Sequence, residues 1–184
     1  MVGPVSAPAV RYFAYGSNMQ TATLCGRRGI TVIRARPARA AGWRLVFDKP
    51  PLVPVGEAYA NLVAAPDAEV LGVLYEVSAA DLAHIELTEG VPIGNYRPTE
   101  ITVVAFAEPE RALSAVTLVS DRRDPRLCPS DRYMRCLIAG AEEHGLPAEY
   151  VEFLRRVQSR PETVEATQLR GLIDAGFRQR KSPP

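Results

Sequence analysis

The chain is poor in the residues that mark the commoner chemistries. Histidine occurs only at His84 and His144, neither with a partner at metal-ligand spacing, so no metal site is expected. The three cysteines, Cys25, Cys128 and Cys136, form no C-x-x-C pair, and an odd number suits reduced thiols packed as small hydrophobes better than a disulfide framework. No uninterrupted apolar run approaches the roughly 18 residues that a membrane span requires. A phosphate-binding P-loop, a G-x-G-x-x-G turn after a strand and a Ser-His-Asp or Cys-His set are all missing. Lysine is almost absent, with 2 against 20 arginines, a bias closer to the codon usage of a GC-rich genome than to a nucleic-acid device. A nucleic-acid binder interleaves aromatics with its basic residues and carries a basic total, whereas the net charge here is +1.

Acidic residues are also missing from one region. Residues 1–47 hold seven arginines (Arg11, Arg27, Arg28, Arg34, Arg36, Arg39 and Arg44) and no Asp or Glu, which leaves the remainder net acidic. Such an asymmetry can place a positive field near a site for a small anion. The first ten residues lack a basic leader and are broken by Pro4 and Pro8, so they do not read as a secretory signal and a cytoplasmic location is expected.

What is present suits one folded unit. With 184 residues, 47% hydrophobic and 23% charged, the chain can bury about 70% of its unfolded surface around a single core. One domain over residues 11–178 is expected, with flexible ends at 1–10 and 179–184. Short alternating or apolar runs predict strands at 11–15, 31–36, 42–48, 57–64, 70–77, 101–107 and 114–120, with Pro and Gly clusters between several of them. Ser78 followed by Asp81 has the form of a helix N-cap, with a stop at Gly90. After residue 128 the period changes to helical. Ser130 caps one helix that stops at Gly145, Pro147 opens a second at its first position, and residues 164–175 form a third, with Leu169, Leu172 and Ile173. Strands first and helices later predict an α+β domain, its mixed and mostly antiparallel sheet curled into a small barrel with flanking helices.

Two segments offer chemistry. Tyr15-Gly16-Ser17-Asn18-Met19 ends the first strand in a turn whose successive N–H groups can cradle a carboxylate or a developing oxyanion, although Gly-Ser-Asn also makes an ordinary turn. Thr88-Glu89-Gly90-Val91 puts a carboxylate at a helix C-terminus in apolar surroundings, and both features disfavour its charged form and suit a proton-transfer group. Glu86, one turn earlier, is a rival that the residues alone do not separate from Glu89. Tyr96, after a Gly94-Asn95 turn, and Tyr133, at the start of a helix, can each point a hydroxyl into a cleft.

Taken in order, these blocks resemble the γ-glutamylcyclotransferase family (AIG2-like superfamily). Tyr12-Phe13-Ala14-Tyr15-Gly16-Ser17-Asn18-Met19 resembles its N-terminal signature and Gly72-Val73-Leu74-Tyr75 its central strand. Glu86-Leu87-Thr88-Glu89-Gly90-Val91 with Tyr96 resembles the segment bearing the catalytic glutamate, and Pro129-Ser130-Asp131-Arg132-Tyr133 and Gly145-Leu146-Pro147-Ala148-Glu149-Tyr150 continue the match, which spans about residues 11–155. The resemblance implies a cofactor-free, metal-free cyclisation in which the α-amine of a γ-glutamyl compound attacks its own γ-carbonyl, giving 5-oxoproline and a free amine. It implies Glu89 as catalytic residue, and Tyr15, Gly16, Ser17, Asn18, Met19, Tyr96 and Tyr133 as substrate-binding residues.

The implied partner is a small γ-glutamyl substrate, with no nucleic acid or membrane. Family members occur as monomers and dimers, so a homodimer is one assembly the resemblance admits. Asn18 and the 145–150 block favour the branch acting on γ-glutamyl amino acids. Related biosynthetic enzymes remove a γ-glutamyl protecting group from other amines, and a non-catalytic module that binds a small anion on the same fold is a further alternative. The leaving group is expected to meet the loops at 49–56 and 120–128.

Overall fold

Alternation of apolar and polar residues sets the sheet, as in β4, Arg97–Ala105, where Ile101, Val103 and Ala105 point inward while their neighbours face out. In the computed structural model, which describes residues 9–180 (side chains to 176), five strands close into a barrel in the order β1-β3-β2-β4-β5. The others are β1, Val10–Ala14, β2, Val32–Lys49, β3, Tyr59–Val77, and β5, Ala112–Val119. All neighbours are antiparallel except β1 and β5, whose parallel pairing of Tyr12 with Val116 closes the ring. The fold is therefore the expected mixed, mostly antiparallel barrel with flanking helices.

The seven expected strands become five because two breaks are bulges rather than turns. β2 runs unbroken through Gly42, where the register shifts between Ala41 and Trp43, and residues 65–68 of β3 lie opposite the shift, outside the ladder. Pro66, which has no N–H to donate, sits in that unpaired stretch. The long bent strands let one sheet curl onto itself.

Helix boundaries follow their caps. The Ser78 hydroxyl accepts from the Asp81 N–H and starts α1, Ala79–Thr88, and the Ser130 hydroxyl accepts from the Tyr133 N–H and starts α2, Asp131–Glu143. Pro147 takes the cap position of α3, Ala148–Arg156, rather than its first helical position. The last helix, α4, Val164–Arg180, begins where expected; Ala166 is buried and Leu169 half-buried, while Leu172 and Ile173 are exposed. Of the ends set apart from the domain, residues 1–8 and 181–184 lie outside the described residues, Val10 opens β1, and residues 179–180 belong to α4.

At one end of the barrel, where β1, β2 and β5 finish and β3 and β4 begin, α2 lies against a 3-10 turn, Ser17–Met19. The approach is close at Gly140, where an added Cβ would stand 2.6 Å from the Gln20 nitrogen and 2.7 Å from the Met19 carbonyl carbon. Both obstacles are backbone, so neither can swing aside. Gly140→Ala is expected to destabilise the protein by roughly 1–3 kcal/mol, read as a lowered urea midpoint, because the turn or the helix has to move.

All seven tyrosines are buried or half-buried, and burial raises the pKa of each above its ordinary value of 10. Above pH 10 the unfolded chain loses phenolic protons that the folded chain retains, so stability falls by about 1.4 kcal/mol per pH unit for each such tyrosine. Lys49 works in the other direction. Burial lowers its pKa from 10.5 to about 8, so between those values the unfolded chain holds the extra proton and stability rises with pH. Seven groups outweigh one: the urea midpoint is expected to drop steeply past pH 10, with phenolate absorbance appearing only as the protein unfolds.

Candidate active site

A cavity of about 490 Å³ opens at this end of the barrel, in the size range that holds a drug-sized ligand. Glu89 reaches it from the end of α1. The helix stops because Gly90 adopts φ 76° and ψ 31°, and a side chain there would place its Cβ 2.9 Å from that of Asn95. Asn95 fixes the same corner, its amide donating to the Glu89 carbonyl at 2.8 Å. Glu86 is not part of the cavity wall, so the geometry separates the two glutamates that the residues alone left open.

The Glu89 carboxylate is held through one of its oxygens. Oε1 accepts from Asn18 Nδ2 at 2.9 Å and from Arg28 Nη2 at 2.6 Å, while no donor among the described residues reaches Oε2. Glu89 is 18% exposed and Arg28 8%, so this ion pair is shielded from most solvent screening. A charged hydrogen bond of this kind contributes about 1.5–3 kcal/mol, against roughly 0.3–1 kcal/mol of repulsion from the helix end, so the pair decides the balance. Arg28 is itself fixed by donation to Thr88 Oγ1 at 2.6 Å.

Beside Glu89, the turn after β1 presents three donors: the N–H groups of Gly16, Ser17 and Asn18 have no acceptor among the described residues. Asn18 Nδ2 also donates to the Tyr12 hydroxyl at 2.9 Å, and its Oδ1 is buried without a partner. Buried polar atoms left open in this way are what a polar ligand completes. Gly16 lets the turn approach Tyr133, whose hydroxyl oxygen would lie 3.1 Å from a Cβ at that position.

The tyrosines divide by what their hydroxyls do. Tyr15 donates to the Leu118 carbonyl and Tyr96 to the Ala60 carbonyl, at 3.2 Å for Tyr96, so both hydroxyl protons serve the wall. Tyr133 accepts from the Ala60 N–H at 3.1 Å, and its own proton has no acceptor among the described residues. Tyr12 likewise accepts from Asn18 and keeps its proton. Burial, with the Glu89 charge adding to it, holds the phenols of Tyr12 and Tyr133 well above their ordinary range, so both remain hydrogen-bond donors at neutral pH.

Of the residues expected to bind substrate, Tyr15, Gly16, Ser17, Asn18, Tyr96 and Tyr133 line the cavity with Glu89. Met19 does not. It is fully buried in the core beneath Gly140, because the 3-10 turn rotates its side chain inward and leaves only its neighbours facing the cavity. Sequence reasoning missed Tyr12, which reads as an ordinary strand residue, and placed Arg28 only within a general arginine excess. Most of that excess faces elsewhere: Arg36 pairs with Glu76 and Glu108, and Arg39 with Glu69. Lys49, noted only as the start of a loop, is buried in the cavity wall. Among the described residues no group of three or more His, Cys, Asp or Glu is placed to hold a metal ion, and no helix is long and apolar enough to cross a membrane.

The chain resembles known proteins along most of its length. Residues 69–154 match the model of the AIG2-like family. The chain is 30% identical over 151 residues to a bovine protein named γ-glutamylcyclotransferase, covering 80% of this chain and 78% of that one. The human protein of the same name is 28% identical over 154 residues, with the same coverage. A solved structure of a γ-glutamyl cyclotransferase shares the fold with a TM-score of 0.74 at 24% identity, covering 93% of this chain and 99% of its own. Because the bovine likeness reaches 30% identity over four fifths of the sequence, the chain belongs to the γ-glutamylcyclotransferase family.

Proposed function

We propose that this protein converts a γ-glutamyl compound to 5-oxoproline by intramolecular cyclisation, with Glu89 as the proton carrier. The observation that carries the reading is a carboxylate anchored through Oε1, with Oε2 free of any donor among the described residues, in a cavity also lined by a turn with three N–H donors that have no acceptor among the described residues.

The substrate binds as an α-ammonium. Oε2 of Glu89 takes one of its protons, and the freed α-nitrogen attacks the γ-carbonyl carbon, forming the ring N–C bond. Charge moves to the carbonyl oxygen, where the N–H groups of Gly16, Ser17 and Asn18 stabilise it. The tetrahedral intermediate collapses as the bond from the γ-carbon to the departing nitrogen breaks. In all, two protons pass from the α-nitrogen to the leaving nitrogen, and Glu89 takes and returns each of them, so it ends in its starting state.

Nucleophile and electrophile belong to one molecule, so holding the substrate folded back supplies several kcal/mol through effective molarity. The cavity contributes shape as well as charge. The rings of Tyr15 and Tyr96 form wall, and the hydroxyl protons of Tyr12 and Tyr133 remain to meet polar atoms of the substrate.

Glu89→Gln is nearly isosteric and cannot ionise. Release of 5-oxoproline from γ-glutamyl-alanine is expected to fall by about 10²–10⁴-fold in this variant. Turnover near the wild-type rate would remove Glu89 from the mechanism, and saturable binding by the wild-type protein without any 5-oxoproline would instead mark a binding module.

A further inference from the structure

Resting on the reading of this cavity as a γ-glutamyl site, the part of it that lies beyond Glu89 identifies the kind of amine that leaves. The charge acting most on the Tyr133 phenol is that of Glu89, whereas Tyr59 is governed by Glu57, Arg132 and Glu162. The two rings meet edge to face with centroids 5.0 Å apart, and both line the cavity. The space therefore continues from Glu89 past this ring pair into a second compartment, walled by the loop after β2 and by α4.

The sequence sets the leaving group against the loops at 49–56 and 120–128. Pro51, Leu52, Val53 and Val55 of the first loop line the cavity, none of the second does, and α4 supplies the wall instead through Ala166, Leu169 and Ile173. These three are spaced for one helical face. The helix is tied down around them. Thr163 Oγ1 donates to the Val55 carbonyl at 3.1 Å and accepts from the Ala166 N–H at 3.1 Å, and Asp174 pairs with Arg27 at the end of the π-helical segment Ala22–Arg27.

Charged groups in this compartment act on one another. Glu162 accepts from Arg170 at 2.8 Å and lies 3.8 Å from Arg132, whose charge also acts on Glu57, and Arg27 has Asp174. Three arginines stand against three acids, so the compartment favours neither a cation nor an anion. The surface left for a ligand is apolar, and part of it is uncovered: Leu52 is 47%, Val53 49% and Ile173 44% exposed. Apolar area of this kind is stabilised by an apolar group that displaces water from it. With the glutamyl group held beside Glu89, the part of the substrate that reaches α4 is the departing amine.

We propose that this second compartment binds a large apolar substituent of the leaving amine, with Leu169 and Ile173 as specificity-determining residues. Neither takes part in the proton transfers.

The test compares γ-glutamyl-phenylalanine with γ-glutamyl-alanine, which differ only in the phenyl ring, through the ratio of their kcat/KM values. The wild-type protein is expected to prefer the phenylalanine compound at least tenfold, within what contacts in a hydrophobic pocket discriminate. The double variant Leu169→Gln, Ile173→Gln is expected to lower that ratio at least fivefold. Leu172→Gln, on the same helix but outside the cavity wall, is expected to leave it unchanged. No preference in the wild type, an unchanged ratio in the double variant, or an equal fall in Leu172→Gln overturns the proposal. Because the quantity is a ratio within one variant, a partial loss of folded protein does not affect it, and Ile173→Gln alone, at an exposed position, serves if the double variant does not fold. Should the wild type release 5-oxoproline from neither compound, the cyclotransferase reading fails, and calorimetric titration with the same two compounds still decides the compartment. Tighter binding of the phenylalanine compound that is lost in the glutamine variant upholds it, while equal binding of the two, or no binding of either, overturns it.

Discussion

A carboxylate held in a half-closed cavity by one amide and one guanidinium is the constraint on which the rest of the site depends. Asn18 and Arg28 both reach Glu89 Oε1, and each comes from a different part of the chain: Asn18 from the turn after β1, Arg28 from just beyond the π-helical segment Ala22–Arg27. The two contacts tie the N-terminal turn to the end of α1. They leave the second carboxylate oxygen facing the cavity and stop the side chain from swinging into solvent, which the field of the helix C-terminus would otherwise favour.

That triad is positioned by packing further away. Met19 and Gly140 let α2 press directly onto the turn, so the helix sets both the turn and, through Tyr133 in its own first turn, the adjoining wall of the cavity. Tyr75 adds a bond from the barrel, its hydroxyl donating to the Met19 carbonyl at 3.0 Å. The turn is thus fixed from the strand side and from the helix side, while the N–H groups of Gly16, Ser17 and Asn18 have no acceptor among the described residues. A donor set that does not have to reorganise when charge develops is what an oxyanion site requires.

Much of the fold was legible in the sequence where the signal acts over a few residues. The alternation in β4 and β5, the serine caps before α1 and α2 and the stop at Gly90 all reappear in the structure. Reading failed where a local break signal was overruled by long-range pairing. Gly42 and Pro66 look like turns, but the β2–β3 ladder resumes on both sides of them and turns them into a bulge that curves the sheet.

For the site, the division lies between residue type and convergence. The chain by itself determined that a glycine-containing turn follows the first strand and that a glutamate closes a helix, because caps, stops and turn residues exert their effect on their own backbone. It also carried enough likeness along its length to indicate the family. Only the tertiary structure decided that Glu89 and not Glu86 faces the cavity, that Arg28, 61 positions away, is its counter-ion, that Met19 turns into the core, and that Lys49 is buried beside Tyr96. Those outcomes depend on which strand ends the closed barrel brings to one place, and a charge several turns distant in sequence has no influence on local conformation until the sheet has closed.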